Sequence, residues 1–147
     1  MRADVVQAIA TLQEIVDQGG PATEDYTRLA QTIAVLHGHE FVAENGLSRR
    51  AHPLTELDRF FADNARIFGT TASFQGFVRC RPHGYAGDYE LIERIYHRSM
   101  SGYPDISRWD AFCLLNPSTE AVRNRAQVLG SLVAEFAPQD LLSVACG

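Results

Sequence analysis

A loop in the middle of the chain contains the residues best suited to bind a ligand, namely Arg79, Arg81, Gly84 and Tyr85. An arginine guanidinium can form two parallel hydrogen bonds with a carboxylate, and glycine permits backbone conformations and close approaches that other residues do not. Tyr85 could cover an aromatic base or donate a hydrogen bond to a carboxylate. The pattern predicts a ligand-binding loop. The alternative is a tight turn with solvated arginines, in which Asp88 caps the following helix.

The last seven residues form a second candidate site. Leu141, Leu142 and Val144 predict a buried strand, and Ala145-Cys146-Gly147 predicts a turn of small residues directly after it. Doubly wound nucleotide-binding folds begin in this way, because small residues let a sugar or phosphate approach the backbone at the carboxyl end of the strand. The alternative is a short apolar strand before an ordinary glycine turn, with Cys146 buried as a small apolar side chain.

The histidines do not predict a metal site. His37 and His39 are two residues apart on a predicted helix, so their side chains face different directions and make a poor metal pair. His83 lies in the loop and could assist a proton transfer, although a solvated side chain is the simpler interpretation. We therefore predict no bound metal. No Ser-His-Asp or paired-carboxylate pattern identifies a catalytic residue.

Composition predicts a soluble globular domain. The chain has 147 residues, of which 46% are hydrophobic and 21% charged, enough for one domain with a hydrophobic core. A net charge of −5 argues against a nucleic-acid partner, which would favour a basic surface. Three cysteines without a CxxC motif favour a reduced, cytoplasmic protein. No signal segment and no run of about 18 apolar residues is present, so no membrane span is predicted.

Apolar residues at helical spacing predict a mainly α-helical chain. The first predicted helix ends at Gly19-Gly20-Pro21, and the second runs from Thr23 to Asn45-Gly46. The third runs from Pro53 to Gly69 and the fourth from Tyr89 to Arg98. The last runs from Pro117 to Phe136. The second helix should include Phe41. Ser107-Arg108-Trp109-Asp110 is typical of a capping box before a short helix at 111–115. From Gly69 to Gly87 the pattern fails and predicts a long loop.

The predicted organisation is a helical domain, residues 1–136, followed by the start of an α/β domain, residues 137–147. Tyr103, Trp109 and Phe112 are expected to pack between the fourth and the last helix. A single strand cannot satisfy its own backbone groups or cover both of its faces. We therefore expect the α/β part to be truncated here and to continue in a longer protein.

Two segments together resemble class I S-adenosylmethionine-dependent methyltransferases. Residues 141–147 are similar to the first strand and small-x-Gly loop of that family, which pass beneath the cofactor. Ser143 stands where an acidic or small polar residue is usual, Ala145 where glycine is commoner, and Gly147 at the close-approach glycine. The run from Arg79 to Glu90, which contains Arg-Pro-x-Gly-Tyr-Ala-Gly-Asp, resembles a segment of bacterial members that have a helical N-terminal extension.

The resemblance implies a Rossmann-like cofactor domain, S-adenosylmethionine as cofactor and a helical lid on the substrate side. The cofactor-binding residues that it implies are Ser143, Ala145, Cys146, Gly147, Arg81, Gly84 and Tyr85. The acceptor would be a small molecule, with a carboxylate or fatty-acid-like compound as one option. Because methyl transfer depends mainly on alignment and desolvation, it needs no catalytic triad. We expect no turnover from this chain by itself.

Two alternatives remain open from the sequence. The first is a non-enzymatic helical interaction module, with homo-oligomerisation through the helical hairpin of residues 3–45 or through an unsatisfied strand. The second is the beginning of a dinucleotide-binding enzyme, because Ala145-x-Gly147 could start a G-x-G-x-x-G motif. The position of the strand, after a long helical region, argues against the second alternative.

Overall fold

A computed structural model describes residues 3–37, 40–42, 48–50, 55–84 and 89–136, and this part of the chain is mainly α-helical, as predicted. Its helices are α1 (Ala3–Asp17), α2 (Tyr26–His37), α3 (Thr55–Asp63), α4 (Ala65–Phe68), α5 (Phe74–Cys80), α6 (Tyr89–His97), α7 (Pro104–Leu114) and α8 (Pro117–Phe136). Between α2 and α3, strands β1 (Glu40–Val42) and β2 (Ser48–Arg50) pair in antiparallel fashion. The predicted domain boundary and terminal strand at 137–147 lie outside the described residues, so the Rossmann-like part stays a prediction.

The turn after α1 explains the first helical hairpin. Gly19 and Gly20 have φ angles of 81° and 96°, in the left-handed region that favours glycine. A Cβ on Gly20 would lie 2.7 Å from the carbonyl oxygen of Asp105, so this turn also permits close packing against α7. The predicted hairpin of α1 and α2 is present. However, α2 ends at His37 and Phe41 lies in β1, so the predicted extension of this helix was wrong.

A first hydrophobic cluster joins α1–α4 to the beginning of α7. Its buried residues are Val5, Ala8, Leu12, Ile15, Leu29, Leu36, Leu57, Phe60, Ile67, Phe68, Ile106 and Trp109. Phe68 contacts Phe60, Phe61 and Trp109, with ring centroids 5.0–5.5 Å apart. Such offset and edge-on aromatic contacts add to the stabilisation from apolar burial. The predicted position of Trp109, between the fourth and last helices, was therefore wrong.

A second hydrophobic cluster joins α5, α6, the end of α7 and the start of α8. Its buried residues are Phe74, Phe77, Leu91, Ile95, Cys113 and Leu114. Phe112 packs against both clusters and lies 5.2 Å from the ring of Tyr26, whereas Tyr103 is 59% exposed, contrary to the prediction. Helix α5 lies where a loop was predicted. Its Gly76 is necessary, because a Cβ there would lie 2.0 Å from the carbonyl oxygen of Thr70.

Buried polar side chains fix the elements around the second cluster. Ser73 is fully buried, accepts a hydrogen bond from the Gly76 N–H at 2.8 Å and so caps α5. Asp110 accepts from the Phe74 N–H and the Ser101 N–H, both at 2.8 Å. Asp110 is inside α7, which begins at Pro104, so the predicted capping box at 107–110 was wrong. Proline is well suited to the first helical position, and here the helix starts about two turns before the predicted residue Ala111.

Helix α8 has the predicted bounds and two different halves. In its first half, Thr119 and Arg123 are buried, and Arg123 donates a hydrogen bond to the carbonyl oxygen of Leu114 at 2.8 Å. In its second half, residues 124–136 are all exposed. None of the described helices is long and apolar enough to cross a membrane.

Candidate functional site

A cavity of about 390 Å³ lies between the two hydrophobic clusters. Its apolar wall consists of Leu12, Ile33, Leu36, Leu57, Phe60, Phe61, Phe68, Phe74, Trp109, Phe112 and Cys113. Its polar residues are Gln75, Arg79, Asn116, Ser118 and Thr119. The volume and the apolar wall with a few polar groups are typical of small-molecule sites, which usually measure about 300–1,000 Å³.

Among the lining residues that the structure describes, Arg79 on helix α5 carries a positive charge. Gln75 and Arg79 are four residues apart and therefore lie on the same face of the helix. The guanidinium carbon of Arg79 lies 3.7 Å from the ring centroid of Phe61, which holds this exposed side chain over an aromatic residue of the wall. The planar guanidinium group can donate hydrogen bonds to a carboxylate bound beside the ring. The arrangement favours an anionic group at Arg79 and an apolar group against the aromatic wall.

Two buried groups of the wall have unusual hydrogen bonding. Trp109 is 3% exposed, and its Nε1 donor has no acceptor among the residues that the structure describes. An acceptor brought there by a ligand would satisfy it. Gln75 donates to the Cys113 sulfur at 2.7 Å. Burial raises the pKa of the Cys113 thiol to about 12, so the thiol is protonated at neutral pH and is not a nucleophile.

The turn after α5 contains two of the predicted cofactor-binding residues. Arg81 ends the helix with φ 45°, and its carbonyl oxygen accepts from the Gly84 N–H at 2.7 Å. Gly84 has φ 84°, and no described atom lies within 4 Å of a Cβ built on it. His83 pairs with Glu90 at 3.2 Å, and the hydrogen bonds from His83 and Arg94 lower the pKa of Glu90. The His83 side chain is therefore paired with a carboxylate on α6, and its role in proton transfer stays a prediction.

The structure describes the positions of only some of the residues predicted for the site, and their binding roles stay predictions. Arg81 and Gly84 lie in one exposed turn, whereas Arg79 lies on α5 at the cavity rather than in a loop. The predicted residues outside the described part of the chain are Tyr85, Asp88, Ser143, Ala145, Cys146 and Gly147. Sequence reasoning missed Gln75 and the aromatic wall. The four-residue spacing of Gln75 and Arg79 is the one signal that could have placed both on a helix face.

A second cavity, of about 470 Å³, is lined mainly by residues of α6, α7 and the segment between them. Arg94 crosses its wall, donates to the Thr71 carbonyl and the Glu90 carboxylate, both at 2.9 Å, and lies 4.1 Å above the ring of Phe77. Both carboxylate oxygens of Asp110 accept backbone hydrogen bonds. Arg94 is thus paired with Glu90, and Asp110 with two backbone N–H groups, and these contacts hold the elements together. Within the described ranges, no three His, Cys, Asp or Glu residues are placed to hold a metal ion.

No family model, curated protein or solved structure matches this chain. The site is therefore interpreted from its own residues. The described lining of the cavity combines an apolar wall, the guanidinium of Arg79 and several neutral polar groups, and its buried thiol is protonated. This set of groups can bind and orient an amphipathic anion.

Proposed function

We propose that this chain is the acceptor-binding helical region of an S-adenosylmethionine-dependent methyltransferase that acts on a small molecule with an apolar body and a carboxylate. One observation carries the proposal. Helix α5 presents Gln75 and Arg79 to the cavity and ends in the turn of Arg81 and Gly84. The seven residues of α5 span about 10 Å. The acceptor cavity thus adjoins the segment that resembles the methyltransferases.

The cavity supports an acceptor of this chemistry. Apolar surface that moves from water onto the aromatic wall is stabilised by about 25 cal/mol per Å². A carboxylate at Arg79 would gain charge-assisted hydrogen bonds, which are stronger than those between neutral groups. The acceptor would therefore be anchored at both ends, with its apolar body against residues such as Phe61 and Trp109.

The described part of the turn is compatible with a bound cofactor. Arg81 is exposed, and the space around Gly84 is open to a ligand. Together with Tyr85 and the segment Ser143, Ala145, Cys146 and Gly147, these residues would hold S-adenosylmethionine. The cofactor supplies a methyl group activated by a sulfonium charge.

The residues of this chain would contribute orientation and exclusion of water. A carboxylate acceptor is ionised near neutral pH, so no side chain has to remove a proton from it. Arg79 would hold one carboxylate oxygen, and the aromatic wall would fix the direction of the apolar body. Alignment and desolvation account for much of the acceleration in such transfers. The protonated Cys113 is consistent with a site that binds its acceptor without forming a covalent intermediate.

Calorimetric titration tests both halves of the proposal. S-adenosylhomocysteine should bind the chain, and NAD should not. Decanoate should bind, and Arg79→Gln should weaken its binding about tenfold, because one charge-assisted contact worth about 1.5 kcal/mol is lost. Binding of methyl decanoate, which has no carboxylate charge, should not change in this variant. Arg59→Gln is the matched control, since Arg59 is exposed and does not line the cavity. Equal weakening of both ligands in Arg79→Gln would contradict the role of Arg79.

A further inference from the structure

The second half of α8 presents an apolar face to solvent. Residues 124–136 are all exposed and form an arm about 20 Å long. Five apolar residues share one face of it: Val128 (56% exposed), Leu129 (57%), Leu132 (42%), Val133 (39%) and Phe136 (72%). An isolated helix of this length is marginally stable in water, and a contiguous exposed apolar patch usually marks an interface.

We propose that this arm pairs with the same arm of a second copy of the chain, in antiparallel orientation. A two-fold axis between positions 130 and 131 would place Leu129 opposite Leu132 of the second copy, and Val128 opposite Val133 of the second copy. The same axis would place Arg125 opposite Phe136 of the second copy. Positions 125, 128, 129, 132, 133 and 136 have the same spacing in both directions along the helix. An isologous dimer requires a face of this kind, because residue i of one copy contacts residue j of the second copy, and residue j of the first copy contacts residue i of the second.

The charges on the arm favour the antiparallel orientation. Arg125 is near its start and Glu135 is near its end. In an antiparallel pair, each Arg125 would lie over Phe136 and near Glu135 of the second copy, so that cation–π and opposite-charge contacts both stabilise the dimer. In a parallel pair, Arg125 would face Arg125 and Glu135 would face Glu135, which is destabilising. This charge complementarity points to a second copy as the occupant of the face.

The inference does not depend on the proposed function. No residue of the arm lines the 390 Å³ cavity, to which α8 contributes only Ser118 and Thr119 near its start. Pairing through the arm would leave the cavity of each copy accessible. The dimer and the ligand site can therefore be tested separately.

Sedimentation velocity of the full chain, from about 1 µM to about 500 µM, covers the range expected for a small interface. We expect a concentration-dependent monomer–dimer equilibrium. Leu132→Asp should weaken association about a hundredfold, because a tenfold effect occurs twice in a two-fold interface. Gln127→Asp is the matched control, since it adds the same charge on the opposite, exposed side of the helix. A monomer at every concentration, or equal weakening by the two substitutions, would overturn the proposal.

A charge exchange tests the orientation. Arg125→Glu should weaken the dimer about tenfold. Arg125→Glu combined with Glu135→Arg should recover part of the lost affinity, because positions 125 and 135 would again carry opposite charges although the cation–π contact with Phe136 stays lost. In a parallel pair, Arg125→Glu would replace a contact between two arginines by a contact between two glutamates, and the dimer affinity would not change. An unchanged dimer affinity in this variant would therefore overturn the antiparallel arrangement. Circular dichroism of each variant verifies that the helices form. If the face is instead covered by another segment of its own chain or by a different protein, the chain remains monomeric, and the proposal fails.

Discussion

The two hydrophobic clusters contain different kinds of buried residues. Among the described residues, the first buries twelve that are apolar, and the polar residues that it buries in α1 and α2 are Thr11 and Thr32. The second buries six apolar residues and is surrounded by Ser73, Asp110, Thr119 and Arg123. The Ser73, Asp110 and Thr119 side chains accept from backbone N–H groups or donate to backbone carbonyls. The first cluster is therefore stabilised mainly by apolar packing, and the second depends also on the buried hydrogen bonds of these three side chains.

This difference predicts different responses to substitution. Removal of atoms from the first cluster should cost free energy through lost burial and an enlarged cavity. Removal of a single polar atom from the surroundings of the second should cost free energy because a buried backbone group loses its partner. Helix α7 contributes residues to both clusters. Substitutions on α7 and on the helices packed against it can therefore compare the free energy lost with apolar volume to that lost with a buried polar atom.

Phe68→Ala should show the largest effect, a loss of about 4 kcal/mol in the free energy of unfolding. Phe68 is buried against Phe60, Phe61 and Trp109 and lines the cavity, so truncation removes several ring contacts. Phe68→Leu, which keeps most of the volume, should cost about 1.5 kcal/mol. Urea unfolding followed by circular dichroism measures both. Equal losses for the two variants would show that volume is not what stabilises the first cluster.

Asp110→Ala should cost about 3 kcal/mol, because the N–H groups of Phe74 and Ser101 would both lose their acceptor. Asp110→Asn should cost about 2 kcal/mol, since an amide can replace only one of the two acceptor oxygens. The same urea unfolding curves apply. A stability for Asp110→Ala equal to that of the unsubstituted chain would mean that the second cluster does not depend on this carboxylate.

Ser73→Ala should cost about 1.5 kcal/mol, the usual loss for a helix N-cap together with a buried hydroxyl. The Ser73 hydroxyl also donates to the Ile67 carbonyl at 2.5 Å. The matched control is Ser118→Ala, whose hydroxyl makes an exposed hydrogen bond to the Asn116 side chain. Exposed substitutions of this kind usually change stability by less than about 0.5 kcal/mol. A control that destabilises as much as Ser73→Ala would refute the assignment of the cap.

The pH dependence of stability gives the smallest expected effect. Burial raises the pKa of Asp110 above its ordinary value, although its backbone hydrogen bonds act in the opposite direction. Between the ordinary value, about 3.9, and the raised one, the folded chain holds a proton that the unfolded chain releases, so stability falls as pH rises. The stability difference between the unsubstituted chain and Asp110→Asn should narrow with rising pH. The lowered pKa of Glu90 has the opposite effect on stability, and it cancels because both chains contain Glu90.

The sequence predicted those elements whose signals are local. The bounds of α1, α6 and α8 follow from apolar spacing and from breaks at glycine and proline, such as Gly19 and Pro117. Helix α5 could not be predicted in this way. Gly76 weakens its helical pattern, and the reason for that glycine is the carbonyl oxygen of Thr70, which approaches the helix from the preceding turn. Phe41 has helical spacing but lies in β1, since pairing with Arg49 outweighs the local pattern.

The candidate site was predicted even less completely, for a related reason. Arg79 was one of two arginines predicted to contact a carboxylate, but its contact with Phe61 joins α5 to α3 and leaves no periodic signal in the sequence. Trp109 was expected to pack elsewhere, because its partner Phe68 is far away along the chain. Cavities form between elements that are distant in sequence. The sequence therefore showed which residue types could bind a ligand, but it did not show how they are arranged around the cavity.

The contrast between Cys113 and Cys80 has a consequence for chemical labelling. Alkylating reagents react with thiolates, and the Cys113 thiol is buried and protonated, whereas Cys80 is exposed. Cys113 should be alkylated only in molecules whose second cluster has opened, so its modification rate, followed by peptide mapping, measures the population of that open form. Because Cys113 also lines the cavity, a bound ligand should slow the reaction. The chain therefore contains a natural reporter of both the opening of its interior and the occupancy of its cavity.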